Sequence, residues 1–157
     1  MVLFQQSQNV PANTFGEFSE YILSRILQKG DVVYFVTDKY NNNSIKGYER
    51  KLRQETGSMR YTIERRDQKK PKQWTKYLKD PENKTELVKF LHEDWSHQTR
   101  FYDKLHGKVL YVNVDDSFYK VSCVDNKVTI WNYVYAFFNI IDLINSNFDV
   151  LKILFIR

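Results

Sequence analysis

Hydrophobic positions follow a helical period in one part of the chain and a strand pattern directly after it. Apolar residues recur every three or four positions from Phe15 to Leu27, and Thr14 with Glu17 three residues later has the spacing of a capping box. The apolar, β-branched run over residues 32–37 then predicts a buried strand. A helix followed at once by a buried strand predicts an α/β layer.

The same two patterns recur in the second half of the chain. Residues 83–95 predict a second long helix that starts at Asn83. Residues 109–114 alternate as a strand does, and the pair Asp125-Asn126 is flanked by two further strand-like runs. Because such a pair is typical of a two-residue turn, these runs predict a C-terminal hairpin.

The composition changes after residue 131. We therefore divide the chain into residues 1–131, one α/β domain, and residues 132–157, a tail rich in Phe, Ile, Asn, Tyr and Leu. One interpretation of the tail is a buried amphipathic helix over 133–144 and a strand over 150–156. The other is a non-native C-terminal extension, because these residue types are specified by A/T-rich codons. Both interpretations stay open on the sequence alone.

Several features indicate the compartment in which the chain works. Cys123 is the only cysteine, which excludes an internal disulfide framework and a cysteine zinc cluster. The N-terminus lacks the basic and apolar regions of a signal peptide. Asp142 and Asp149 interrupt the apolar tail, which argues against a membrane span. We expect an intracellular protein, nuclear or cytoplasmic, without a membrane partner.

Positive charge is concentrated in residues 46–79. This stretch holds twelve Lys or Arg against four acidic residues, a net +8 in a chain whose total is +5. A surface that binds a polyanion such as DNA or RNA has this character, and the alternative is a solvated, lysine-rich loop. The candidate nucleic-acid-binding residues are Lys46, Arg50, Lys51, Arg53, Arg65, Arg66, Lys69, Lys70 and Trp74. Trp74 is a candidate for stacking on unpaired bases, with core packing as its alternative.

Three carboxylates follow predicted strands and are the candidate catalytic residues. Asp38 follows the first strand, and Asp115 and Asp116 follow the second. Open α/β sheets place ligand-binding groups at the carboxyl ends of their strands. Asp38 is therefore the candidate ligand for Mg²⁺ or Mn²⁺, although hydrolysis of a phosphodiester needs several converging carboxylates. In the alternative interpretation, Asp38 caps the turn that follows it.

A family resemblance is carried by a series of short motifs in a fixed order. They are Asn13-Thr14-Phe15-Gly16, Asp38-Lys39-Tyr40, Ser44-Ile45-Lys46, Gln73-Trp74, Asn83-Lys84-Thr85-Glu86-Leu87 and Leu110-Tyr111-Val112. Over about residues 3–130 the chain resembles uncharacterised, transposon-associated invertebrate proteins that are similar to PIN-like nuclease domains of the flap-endonuclease/XPG type. The resemblance implies an incomplete three-layer α/β domain with a mostly parallel sheet and helices around it. It also implies that Asp38 matches the acid that ends the family's second characteristic strand.

The chain departs from the family pattern at both ends. The family has an Asp-Gly pair before the segment that Leu3-Phe4-Gln5-Gln6 resembles, and an acidic helix start after the hairpin, and this chain has neither. We therefore expect a truncated, catalytically incomplete member of this mobile-element family that binds DNA or RNA through residues 46–79. The alternatives are a non-enzymatic protein-interaction or nucleic-acid-binding module, and a weak Mg²⁺-dependent phosphodiesterase that uses Asp38.

Overall fold

The computed structural model describes residues 10–37, 60–97, 99–115, 117–125, 127–133 and 152–156, with backbone only for 132, 133 and 152–156. These residues form four helices and five strands. In chain order they are α1 (Phe15–Leu27), β1 (Val32–Thr37), α2 (Trp74–Tyr77), α3 (Pro81–Trp95), α4 (Tyr102–Leu105), β2 (Val109–Val114), β3 (Ser117–Val124), β4 (Lys127–Tyr133) and β5 (Lys152–Ile156).

Helix α1 begins with the predicted capping box. The Thr14 hydroxyl accepts a hydrogen bond from the Glu17 amide at 3.2 Å. The Glu17 carboxylate accepts in return from the amides of Thr14, at 3.3 Å, and Asn13, at 2.6 Å. Amide groups that a helix start leaves without a partner are thereby satisfied. The capping prediction is confirmed.

Helix α3 begins before the predicted position. Asp80 is the N-cap and Pro81 occupies the first turn, where its missing N–H costs nothing. The predicted start at Asn83 is therefore wrong. Asn83 is instead buried, and its side-chain amide donates to the Tyr77 carbonyl at 3.0 Å and accepts from the Tyr61 amide at 3.0 Å. It ties α2 and the 60–63 segment to α3.

The five strands form one mixed sheet in the order β4-β3-β2-β1-β5. β1 pairs in parallel with β2 and β5, whereas β2 with β3 and β3 with β4 are antiparallel. The predicted α/β class and the predicted hairpin of β3 and β4 are confirmed. The expected parallel majority is not confirmed, because two of the four described strand pairings are parallel and two are antiparallel. β4 continues past residue 131, and the strand predicted over 150–156 is present as β5.

The hydrophobic core lies on one face of the sheet. Val33 and Phe35 point to this face, and all four described helices contribute side chains to the same core. The Trp95 ring of α3 meets Phe35 edge to face at 5.2 Å, and its indole N–H donates to the Ser19 carbonyl of α1 at 3.3 Å. Tyr34 alternates to the opposite face. The described residues thus form two layers, and the expected third layer is not among them.

Candidate nucleic-acid interface

An ion-pair network centred on the buried Asp94 holds the basic segment against α1 and α3. The Arg66 guanidinium donates to both Asp94 carboxylate oxygens, at 2.8 and 3.0 Å, and to Glu20 at 2.8 Å. Arg100 donates to the same Asp94, whose side chain is only 2% exposed. The Gly16 amide donates to the Arg66 carbonyl at 2.8 Å. A Cβ at Gly16 would lie 3.1 Å from that carbonyl oxygen, so glycine permits this close approach.

Backbone hydrogen bonds continue this attachment beyond Arg66. The Phe15 amide donates to the Gln68 carbonyl at 3.0 Å, and the Lys70 amide donates to the Asn13 carbonyl at 2.8 Å. Residues 66–70 therefore run alongside the start of α1. The part of the basic segment that leads into α2 has a defined path on the protein surface.

Four exposed lysines lie along this path, within α2 and directly after it. They recur at three- or four-residue intervals, and we call them the lysine surface: Lys69, Lys72, Lys76 and Lys79. Trp74 and Tyr77 lie between them in the chain and are buried, so α2 turns its aromatic side chains to the core, whereas the lysines within and beside it are exposed to solvent. Within the described part of the chain, no carboxylate lies within ion-pair distance of these four lysines.

The residues that were predicted to bind nucleic acid do not all lie on one surface. Lys69 belongs to the lysine surface, and Arg65 is exposed beside Asp67 at 3.5 Å. The Arg66 guanidinium is held by the ion-pair network, so it anchors the segment instead of facing a ligand. The remaining four arginines and lysines of the prediction lie outside the described residues: Lys46, Arg50, Lys51 and Arg53.

Trp74 and Lys70 face the core. Trp74 is 3% exposed, stacks on Tyr77 at 4.9 Å and meets Phe18 edge to face at 4.9 Å. This placement favours core packing over base stacking. The buried Lys70 amine lies 4.9 Å from the Trp74 ring centre and 5.3 Å from that of Phe18, and burial lowers its pKa. Neither residue presents its side chain to a ligand.

Three members of the lysine surface are not among the predicted binding residues. They are Lys72, Lys76 and Lys79. Their spacing of four and three residues was the available signal, because it matches one face of a helical turn. The buried aromatic residues between them occupy the other face. This alternation identifies which cations point to solvent.

The carboxyl ends of β1 and β2 form the other candidate site. The two strands are parallel neighbours, so Asp38 and Asp115 each follow the end of an adjacent strand, as predicted. Thr37 donates from its amide, at 2.5 Å, and from its hydroxyl, at 3.1 Å, to the Asn113 side-chain oxygen. The buried side-chain amide of Asn113 thereby joins the ends of β1 and β2. Asp38 itself lies outside the described residues.

Asp115 has a structural role at this edge. Its φ of +52° places it in the left-handed region, in the turn that joins β2 to β3. Asp tolerates this conformation better than most residues, so the turn accounts for its residue type. Its carboxylate pairs with Lys89 at 3.3 Å. Among the described residues no group of three or more His, Cys, Asp or Glu could hold a metal ion, and Asp116 lies outside them.

Comparison with known proteins gives no relative from which a function could be carried over. No family model, curated protein or solved structure matches the chain. The resemblance to PIN-like nuclease domains therefore stays a prediction. No described helix is both long enough and apolar enough to cross a membrane.

Proposed function

We propose that this chain is a PIN-like, nuclease-related domain that binds DNA or RNA through its basic segment. The observation that carries the binding proposal is the lysine surface, four exposed cations that no described carboxylate neutralises. Phosphate groups are the natural partners of such cations, and lysine contacts release the counterions that surround a nucleic acid. The PIN-like relationship rests on the sequence motifs.

The attachment of the segment supports this function. Lysine side chains are flexible, and ordering a mobile backbone on binding would cost additional conformational entropy. Here the Arg66–Asp94 ion pair and the backbone bonds to α1 fix the path that leads to the lysines before any ligand arrives. A lysine ammonium group acts as a point charge, and its contact with a phosphate does not distinguish one base from another. We therefore expect binding that depends little on base sequence.

The direct test is a titration of a labelled single-stranded oligonucleotide with the whole chain at increasing salt concentrations. We expect the affinity to fall steeply as salt rises, because counterion release drives the association. A peptide nucleic acid of the same base sequence, which has no phosphates, is the control and should bind far more weakly. Binding that does not change with salt, or equal binding of the uncharged analogue, would refute the proposal. Absence of binding would favour the protein-interaction alternative.

A second candidate function is weak Mg²⁺-dependent phosphodiester hydrolysis. The parallel pairing of β1 and β2 favours it, because Asp38 and Asp115 then follow neighbouring strand ends. Mg²⁺ or Mn²⁺ would supply an activated water and neutralise developing charge on the phosphate. The pairing of Asp115 with Lys89 weighs against it, since a cation already holds that carboxylate.

We expect any cleavage of a labelled oligonucleotide to require Mg²⁺ or Mn²⁺ and to vanish in Asp38→Asn. This substitution removes the charge of the candidate ligand with little change in shape. The control is Asp67→Asn, which makes the same change at an exposed carboxylate that pairs with Arg65. Cleavage that survives Asp38→Asn would remove Asp38 from the mechanism, and cleavage that survives chelation of the metal would remove the metal.

A further inference from the structure

A row of side chains crosses the sheet on the face opposite the helices. Tyr34 pairs with Tyr111, Tyr111 with Lys120, and Lys120 with Trp131, so the four residues lie side by side on β1, β2, β3 and β4. The rings of Tyr34 and Tyr111 stack at 4.6 Å with an angle of 11° between their planes. The row therefore runs from the buried Tyr34 and the half-buried Tyr111, past Lys120, to Trp131.

Trp131 differs from the other two tryptophans in its exposure. It is 61% exposed, whereas Trp74 is 3% exposed and Trp95 is fully buried. Burial of a large aromatic side chain contributes strongly to the free energy of binding. An exposed aromatic ring beside a cation is therefore a common feature of binding surfaces. Nothing in the packing of the described core requires a tryptophan at this position, because its side chain points away from the helices.

We propose that Trp131 stacks on an unpaired base of a single-stranded nucleic acid while Lys120 contacts the adjacent phosphate. Proteins that bind single strands combine an aromatic ring for the base with a cation for the backbone. Residues directly opposite on neighbouring antiparallel strands have Cβ atoms about 5 Å apart, so Lys120 and Trp131 can serve one nucleotide. The inference rests on the proposed function for the class of ligand and specifies it as single-stranded.

The positive charge of this row and of the whole chain favours a nucleic acid over a protein as the ligand that binds at Trp131. The row contains one cation and no carboxylate, and the chain as a whole carries +5. A second copy of this chain is the competing occupant, because β4 lies at an edge of the described sheet and Ile130 is also exposed. Association of two copies would bring together two chains that each carry +5, and this repulsion disfavours the arrangement.

The proposed base-stacking site is separate from the lysine surface. Trp74, which lies among those lysines, packs on Phe18 in the core on the helical side of the sheet. Trp131 is on the opposite face of the sheet. A single strand that engages both sites must pass around the edge of the domain. The two sites can therefore be changed and measured independently.

The experiment compares Trp131→Ala and Trp131→Phe with the wild-type chain, using an oligo-deoxythymidine single strand and inorganic polyphosphate as probes. Polyphosphate carries the charges of a nucleic acid without bases. We expect Trp131→Ala to lower the affinity for the oligonucleotide about tenfold and to leave the affinity for polyphosphate unchanged. Trp131→Phe should keep most of the affinity, because it keeps a flat ring. The matched control is Ile130→Ala, which shortens an exposed apolar side chain, 46% exposed, on the other face of β4.

Tryptophan fluorescence provides a second readout. Because Trp74 and Trp95 are buried, the oligonucleotide should quench mainly the emission of Trp131, and the quenching should be absent in Trp131→Phe. Wild-type affinity in Trp131→Ala would overturn the inference, as would an equal loss for both probes. A wild-type dimer that Trp131→Ala converts to a monomer in sedimentation would assign the surface to a second copy instead.

The same data separate this inference from the proposed function. Salt-dependent binding of polyphosphate together with wild-type oligonucleotide affinity in Trp131→Ala would overturn the base-stacking site and leave the lysine surface in place. Quenching of Trp131 that depends on bases, together with an unchanged oligonucleotide affinity when the lysine surface is substituted, would show that the lysine surface does not bind the strand. This result would support the base-stacking site.

Discussion

Replacing Asp94 by alanine is expected to lower the free energy of unfolding by about 3–5 kcal/mol. Asp94 is 2% exposed at its side chain and accepts hydrogen bonds from both Arg66 and Arg100. Its removal leaves two guanidinium groups without their shared anion, and each of them is two-thirds or more buried. The loss of this carboxylate also frees the basic segment from α3. Urea denaturation followed by circular dichroism measures the effect.

The control for Asp94 is Glu20→Ala. Glu20 also pairs with Arg66, at 2.8 Å, but its side chain is 49% exposed. Because water already solvates this pair, its removal should cost no more than about 1 kcal/mol. Equal effects of the two substitutions would contradict the assignment of Asp94 as the buried centre of the network.

Replacing Lys72, Lys76 and Lys79 together by glutamine is expected to weaken binding of a single-stranded oligonucleotide on the order of 100-fold at about 0.1 M salt. Each lysine that contacts a phosphate adds its own share of counterion release, and these shares add in the logarithm of the binding constant. The three side chains are exposed, so the substitutions should leave the stability nearly unchanged. Fluorescence anisotropy of the labelled oligonucleotide measures the loss.

The matched control is the triple variant Arg25→Gln, Lys29→Gln and Lys104→Gln. These three cations are exposed and lie outside the basic segment, and their replacement removes the same total charge. We expect a loss of less than about tenfold, because distant charges act only through the screened field of the whole protein. A loss equal to that of the lysine-surface variant would show that the total charge matters and its position does not.

Local sequence patterns were sufficient to predict the features that depend on interactions between neighbouring residues. Thr14 and Glu17 predicted their own capping box, and Asp125-Asn126 predicted the turn of the β3–β4 hairpin, because each depends on residues within a few positions. Asp80 was missed at the start of α3. The pattern after Asn83 resembled a capping box, whereas the Asp80-Pro81 pair supplies both the cap and a compatible first turn.

Side-chain exposure depends on contacts between distant segments, which local patterns do not contain. Trp74 and Trp131 both lie near lysines in the sequence, yet one is buried and the other is exposed. Arg66 and Lys69 are three residues apart, and only the tertiary partner Asp94 distinguishes the anchoring cation from the exposed one. The two-residue turn at Asp115 was missed for a similar reason, since its role depends on the pairing of β2 with β3.

The salt dependence of oligonucleotide binding tests the central claim most directly. The slope of the logarithm of the binding constant against the logarithm of the salt concentration is measured for the wild type and for both triple variants. The lysine-surface variant should have a slope smaller in magnitude by about 2, from about 0.7 for each lost contact with a single strand, and the control variant should match the wild type. Identical slopes for all three proteins would contradict binding through the lysine surface.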